Sequence, residues 1–114
     1  MSPDELRTQT CVVVTRGRRT GTEHVATVWF VVTDGRFYAP SRHGLQSDWL
    51  QNALHTRSLE VRSARGSWQG AAALADPDEI PAVLDAFSEK YRKYPSVVTA
   101  WRAEPPVFVR ADLA

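Results

Sequence analysis

Arginine, glycine and tryptophan are grouped in this chain in ways that could hold an anion and a flat ring. RGRRTG, residues 16–21, sets Arg18, Arg19 and Thr20 between Gly17 and Gly21. Glycine lets the backbone come close to a ligand, and the amides of such a turn can converge on an oxyanion. Arginine adds planar, permanently charged donors suited to phosphate or carboxylate. Arg16 stands outside the glycine frame and reads as a surface charge. SRHG, formed by Ser41, Arg42, His43 and Gly44, offers a hydroxyl, a guanidinium, an imidazole and a flexible backbone, which is phosphate-binding chemistry. TVW, formed by Thr27, Val28 and Trp29, could lie against a flat ring system. Each stretch has a plainer reading on spacing alone: a solvated basic turn, a solvated loop, and a tryptophan in the core.

Other constellations fail. Ser41, His43 and Asp48 contain triad residue types, but no nucleophile-elbow pattern surrounds the serine. His24, His43 and His55 lack the i, i+4 spacing of a helical metal site and have the single Cys11 for company, so no metal is expected. Neither GxGxxG nor GxxxxGK[ST] occurs, and no carboxylate pair is placed for acid–base work. Difficult chemistry here calls for a cofactor.

The elements that must position these residues are short. CVVVT (11–15) is a β-branched strand, and HVATVWFVV (24–32) a second, apolar on both faces from Val28 onward. Two-sided burial suggests a barrel wall, or a strand covered by a second subunit. TDG (33–35) makes a hairpin into RFYAP (36–40), which proline ends. After SRHG, SDWLQNAL (47–54) reads as a short helix with Ser47 as N-cap. SLEVRS (58–63) and SWQGAAAL (67–74) form a further hairpin. DPDE (76–79) starts a longer helix whose apolar face is Ile80, Val83, Leu84, Phe87 and Tyr91, ending near Tyr94 and Pro95. PVFVR (106–110) is a last strand.

The expected fold is therefore mainly β with peripheral α: a six-stranded antiparallel split β-barrel with one short and one longer helix, forming one domain over residues 1–114. A net charge of +1 gives no global field for nucleic acid. The polar start MSPDELRTQT and the short apolar runs suggest neither a signal peptide nor a membrane span, and the lone cysteine fits a reducing cytoplasm. Cys11, within an apolar run, reads as a buried hydrophobe. Four tryptophans hint at a subunit contact or an aromatic ligand.

TRGRRTGTEHVATVWFVV, SRHG, SDWLQNAL and KYPSVVTAW…PVFVR, in that order, resemble the deazaflavin (coenzyme F420)-dependent nitroreductase family. That family belongs to the flavin-binding split β-barrel superfamily, with the pyridoxamine phosphate oxidase-like proteins. The resemblance, from about Cys11 to Arg110, implies an F420H2-dependent oxidoreductase passing a hydride to a small conjugated, quinone or nitro-aromatic substrate. It assigns Gly17, Arg18, Arg19, Thr20 and Gly21 to the cofactor's anionic tail, and Ser41, Arg42, His43 and Gly44 to the phosphate-side loop. Thr27, Val28 and Trp29 fall where the ring lies, Trp49 close to the cofactor, and Tyr94 on the substrate side, as the one candidate catalytic hydroxyl. It also implies a homodimer, while the near-neutral net charge and the short apolar runs argue against a nucleic-acid or membrane partner.

The sequence departs from that pattern at Thr27, where relatives carry proline, and at Ser47 and Asp48, which replace Asn-Pro. Val97, Val98 and Thr99 replace the tyrosines that follow YPS. GAAALADPDEIPAVLDAFSEKY looks more like the oxidase-like branch, which keeps FMN as the alternative cofactor. An FMN-dependent oxidoreductase and a non-catalytic flavin- or deazaflavin-binding protein are the competing readings.

Overall fold

In the computed structural model, which describes residues 1–113, the helix α1 (Pro3–Arg7) leads into β1 (Thr10–Arg16) and β2 (Glu23–Trp29). Next come β3 (Val31–Thr33), β4 (Arg36–Ser41), a 3-10 turn (Gly44–Gln46) and α2 (Asp48–Thr56). The hairpin β5 (Ser58–Ser63) and β6 (Gly66–Leu74) precedes α3 (Ile80–Lys90), α4 (Pro95–Ala103) and β7 (Val107–Leu113). The strands form one seven-stranded sheet in the order β2-β1-β5-β6-β7-β4-β3, with every neighbouring pair antiparallel.

The sheet must roll up, because its two edge strands, β2 and β3, are separated in sequence only by Phe30. This is the split barrel expected from the sequence, with seven strands where six were expected. HVATVWFVV is two strands, not one. The break occurs where α3 offers the backbone better partners than a ladder does. Phe30 N–H donates to Tyr91 Oη at 2.9 Å, and Phe30 O accepts from Lys90 Nζ at 2.8 Å. Tyr91 Oη in turn donates to Gln9 O at 2.7 Å. A backbone leaving the sheet is thus kept satisfied while buried.

Two apolar clusters follow from the period-2 alternation of the strands. One fills the barrel with Val13, Phe30, Phe37, Ala39, Val61 and Val109, and α2 closes it with Leu50 and Ala53. The other lies under α3 and α4, where Val31, Tyr38 and Phe108 meet Val83, Phe87 and Val98. β4 alternates between them, Phe37 and Ala39 inward and Tyr38 outward, so it is buried on both faces. Cys11 is buried in the barrel cluster, and burial pushes its thiol up to about 12, as suits a small hydrophobe.

The turns obey local chemistry. Asp34 and Gly35 both take positive φ (53° and 76°) between β3 and β4, the signature of a type I′ hairpin. α1 is closed by a reciprocal capping box between Ser2 and Glu5, and Asp76 and Glu79 make a second before α3. The helix expected to reach Tyr94 stops at Lys90, and a separate helix, α4, starts at Pro95. Proline cannot continue a helix but suits the first helical position. The peripheral helices are therefore more numerous than the one short and one longer helix expected. No helix among the described residues is long and apolar enough to cross a membrane.

Candidate functional site

The split in the barrel opens as a groove of ≈ 950 Å³ between β2 and the end of β4. Its size falls in the range of small-molecule and cofactor sites. β2 contributes residues 24–29, β4 and the loop after it residues 40–43, and α2 residues 47–49. Val97 and Trp101 of α4, with Pro106, complete the wall. Three stretches singled out in the sequence thus meet in one place: Thr27, Val28 and Trp29; Ser41, Arg42 and His43; and Trp49.

The floor is aromatic and built to stay put. Trp29 stacks on Tyr91 with centroids 4.1 Å apart and planes 2° apart. Trp101 meets Trp29 edge-on at 6.2 Å and is itself held edge-on by Phe87 and Phe108. Such offset and edge-to-face pairs hold ring orientation beyond what apolar burial gives. Tyr94, at the N-cap position of α4, is 41% exposed, and its ring lies 5.4 Å from Trp29. It stands beside the tryptophan, outside the groove's lining.

One rim is the Ser41–Gly44 loop. Ser41 Oγ is hydrogen-bonded to both Gly44 O and Ser47 Oγ at 2.5 Å, and His43 N–H donates to Ser47 Oγ at 3.3 Å. Ser47 occupies the N-cap position of α2, but its hydroxyl ties down this loop and does not cap the helix. Gly44 takes φ 59°, which lets the chain turn into the 3-10 segment. Ser41 and Ser47 thus hold the loop, and Arg42 and His43 keep exposed side chains on the rim of the groove.

The turn carrying Gly17, Arg18, Arg19, Thr20 and Gly21 lies next to the groove without lining it. It is closed on itself: Gly17 N–H donates to Thr22 O and Gly21 N–H to Gly17 O, each at 2.8 Å. Arg18 is drawn back onto α2. Its backbone N–H and its Nη1 both donate to Asn52 Oδ1, at 3.3 and 2.7 Å, and its Nη2 lies 3.6 Å from Asp48. Arg19 and Thr20 remain exposed. The turn touches the groove through His24, a lining residue whose Nε2 would lie 3.0 Å from any side-chain carbon placed at Gly17. A side chain at position 17 would press on that imidazole and on Thr20 Oγ1, which would each have to give way by a few tenths of an ångström.

Sequence reasoning missed Asn52, His24 and Trp101. Asn52 is 1% exposed, and its Nδ2 reaches Thr15 Oγ1 at 3.4 Å while its oxygen holds Arg18. The available signal was a carboxamide three residues after Trp49, on a helix whose apolar residues Leu50 and Ala53 flank it.

The arrangement fits a flat conjugated ring carrying an anionic tail: tryptophan and valine surface within, and Arg42, His43 and His24 at the mouth. Solved structures share this architecture. The F420-H2 dependent reductase FDR-A matches with a TM-score of 0.70 at 13% identity over 90% of this chain and 93% of that one. The heme storage protein HutZ of Vibrio cholerae matches at 0.73 and 12%, over 97% and 87%. An FAD-binding protein of Mesorhizobium loti matches at 0.62 and 15%, over 100% and 91%. At such identities the likeness is one of fold, the split barrel. No curated protein matches the sequence. Sequence places the chain more narrowly, because residues 4–108 match a family model described as an uncharacterized protein conserved in bacteria (DUF2255), and to that family the chain belongs.

Proposed function

We propose that the protein is an F420H2-dependent oxidoreductase that reduces a small conjugated, quinone or nitro-aromatic substrate, with the deazaflavin held in the groove between β2, β4 and α2. The observation that supports this most is the meeting of Thr27–Trp29, Ser41–His43 and Trp49 around one groove of ≈ 950 Å³. These are the segments whose resemblance to the deazaflavin-dependent family is noted above, and the reductase FDR-A shares the fold.

Trp29 and Trp49 would flank the ring, and Trp101 would help keep water from it. Arg42 and His43 would hold the phosphate side of the tail, with Arg19 reaching from the neighbouring turn. Asn52 keeps Arg18 and the turn in place. When bound, the cofactor supplies the hydride, so the chain need only bind, orient and exclude water. Tyr94 Oη, beside Trp29, is the hydroxyl available to orient a substrate or give it a proton. A homodimer covering β2 belongs to this reading, because that edge strand leaves Val25 62% exposed.

FMN is the second reading, favoured by the shared fold of an FAD-binding protein and by the oxidase-like run through α3. Parallel titration with F420, FMN and hemin separates these. F420 should bind with micromolar affinity or better, and Trp29→Ala and Arg42→Ala should each weaken it by about tenfold or more. Tight FMN binding without F420 binding moves the assignment to FMN. Hemin binding alone, or no binding of any of the three, removes the oxidoreductase reading.

A further inference from the structure

On the other side of Phe30 lies a second cavity, ≈ 580 Å³, between α1, β3 and the end of α3. Leu6, Val32 and Ala86 give it apolar walls, and Arg7, Lys90 and Arg92 give it three cations against the single carboxylate of Glu89. Nothing in the flavin-type reading of the first groove uses it.

Lys90 is the unusual member. Its stem is folded inward, with Nζ donating to Phe30 O at 2.8 Å and standing 3.4 Å from the centroid of the Phe30 ring. A carbonyl and a ring face stabilise an ammonium, but neither is a counter-charge. No carboxylate among the described residues lies within ion-pair distance of it, and burial pushes its pKa down to about 8. The neighbouring acids do not compensate: burial holds the Cys11 thiol and the Tyr91 hydroxyl at about 12, so both are neutral. An ammonium has three donors, and the backbone takes one. The remainder belongs to a desolvated cation lacking an anion, at the side of a cavity large enough for a small molecule. Arg92 spends one donor on Glu89 O at 3.2 Å and keeps the rest of its guanidinium.

We propose that this cavity binds a small aliphatic carboxylate, its headgroup between Lys90 and Arg92 and its chain along Leu6, Val32 and Ala86. The charge pattern sets the headgroup, and the apolar wall rejects a fully solvated anion such as inorganic phosphate. The site is separate from the groove at β2 and stands whether or not a flavin-type cofactor binds there.

The test uses the full chain, octanoate as probe and 1-octanol as its uncharged counterpart, followed by calorimetry and by amide shifts of residues 31–33. Octanoate should bind with sub-millimolar affinity and at least tenfold more tightly than 1-octanol, since a charge-assisted hydrogen bond is worth about that factor. Lys90→Met should weaken octanoate by about tenfold. Because that variant also loses a contact to Phe30, Arg92→Glu at the exposed rim provides a second measurement, with a several-fold loss and an unchanged melting temperature. Arg42→Ala, on the rim of the first groove and in contact with none of the groups around Lys90, should leave octanoate binding intact, which keeps this result independent of the cofactor assignment. Equal affinity for octanoate and 1-octanol, undiminished octanoate binding in both charge variants, loss of octanoate in Arg42→Ala, or no binding at a few millimolar overturns the proposal.

Discussion

Around Glu79, the carboxylate accepts from Arg36 at 2.9 Å, Arg110 at 2.7 Å and Tyr38 Oη at 2.6 Å, while Asp112 and Asp76 pair with the same two arginines. Around the groove the pattern is reversed. Among the described residues Arg19 and Arg42 make no ion pair, and Arg18 alone is tied back, to Asn52 and Asp48. The same side chain closes a structural network in one region and is held open in the other. An arginine whose donors are consumed by the fold holds strands and helices together, and one whose donors are free is available to an anion. The two clusters should therefore separate stability from binding.

The largest effect is expected at Glu79. Replacing it with Gln leaves Arg36 and Arg110 facing each other without their shared partner, and should cost about 2 kcal/mol in urea unfolding while leaving cofactor affinity unchanged. The pH dependence follows from the same contacts. Partial burial works to raise the Glu79 pKa, but hydrogen bonds from Tyr38, the Asp76 amide, Arg110 and Arg36 outweigh it and hold the carboxyl at about 2, below its ordinary 4.5. The stabilisation is complete above 4.5 and lost as pH falls from there through 2, so wild type and Glu79→Gln should converge in stability across that window. Urea titrations at several acidic pH values read this directly.

Asn52 tests the border between the clusters. Asn52→Ala removes the acceptor for two Arg18 donors and should cost roughly 1–2 kcal/mol. If the turn serves the groove, F420 affinity should fall as well, whereas a stability loss with unchanged affinity would confine the turn to a structural part. The smallest stability effect is expected at Arg42, where Ala should change unfolding by less than about 0.5 kcal/mol. Coupled with the affinity loss expected above, it is the reverse of the Glu79 result. A variant at Arg42 that unfolds easily yet still binds would break the comparison.

Much of this could be read from local patterns. β5 spans residues 58–63 as its alternation indicates, the capping box at Asp76 and Glu79 is present, and residues 27–29, 41–43 and 49 converge on the groove. What escaped depends on partners far along the chain. The run from His24 to Val32 contains no glycine or proline to mark a break at Phe30; Lys90 and Tyr91, about sixty residues on, decide it. The placing of Asn52 is likewise set by a turn 34 residues earlier. Trp101 gained its place only because Pro95 starts a helix where the preceding one had ended.

The strand order has a consequence for how the chain is made. β1–β2, β3–β4 and β5–β6 are hairpins of sequence neighbours and can form as each pair leaves the ribosome. β7 follows all of these in sequence, lies between β6 and β4 and, among the described residues, is the only strand joining the β2-β1-β5-β6 half of the sheet to the β4-β3 half. Until residues 107–113 are synthesised, two sheet fragments with open edges exist side by side. Vectorial synthesis therefore delivers the wall of the groove early and its closure last, and a nascent chain paused before Val107 exposes the strand edges that chaperones guard.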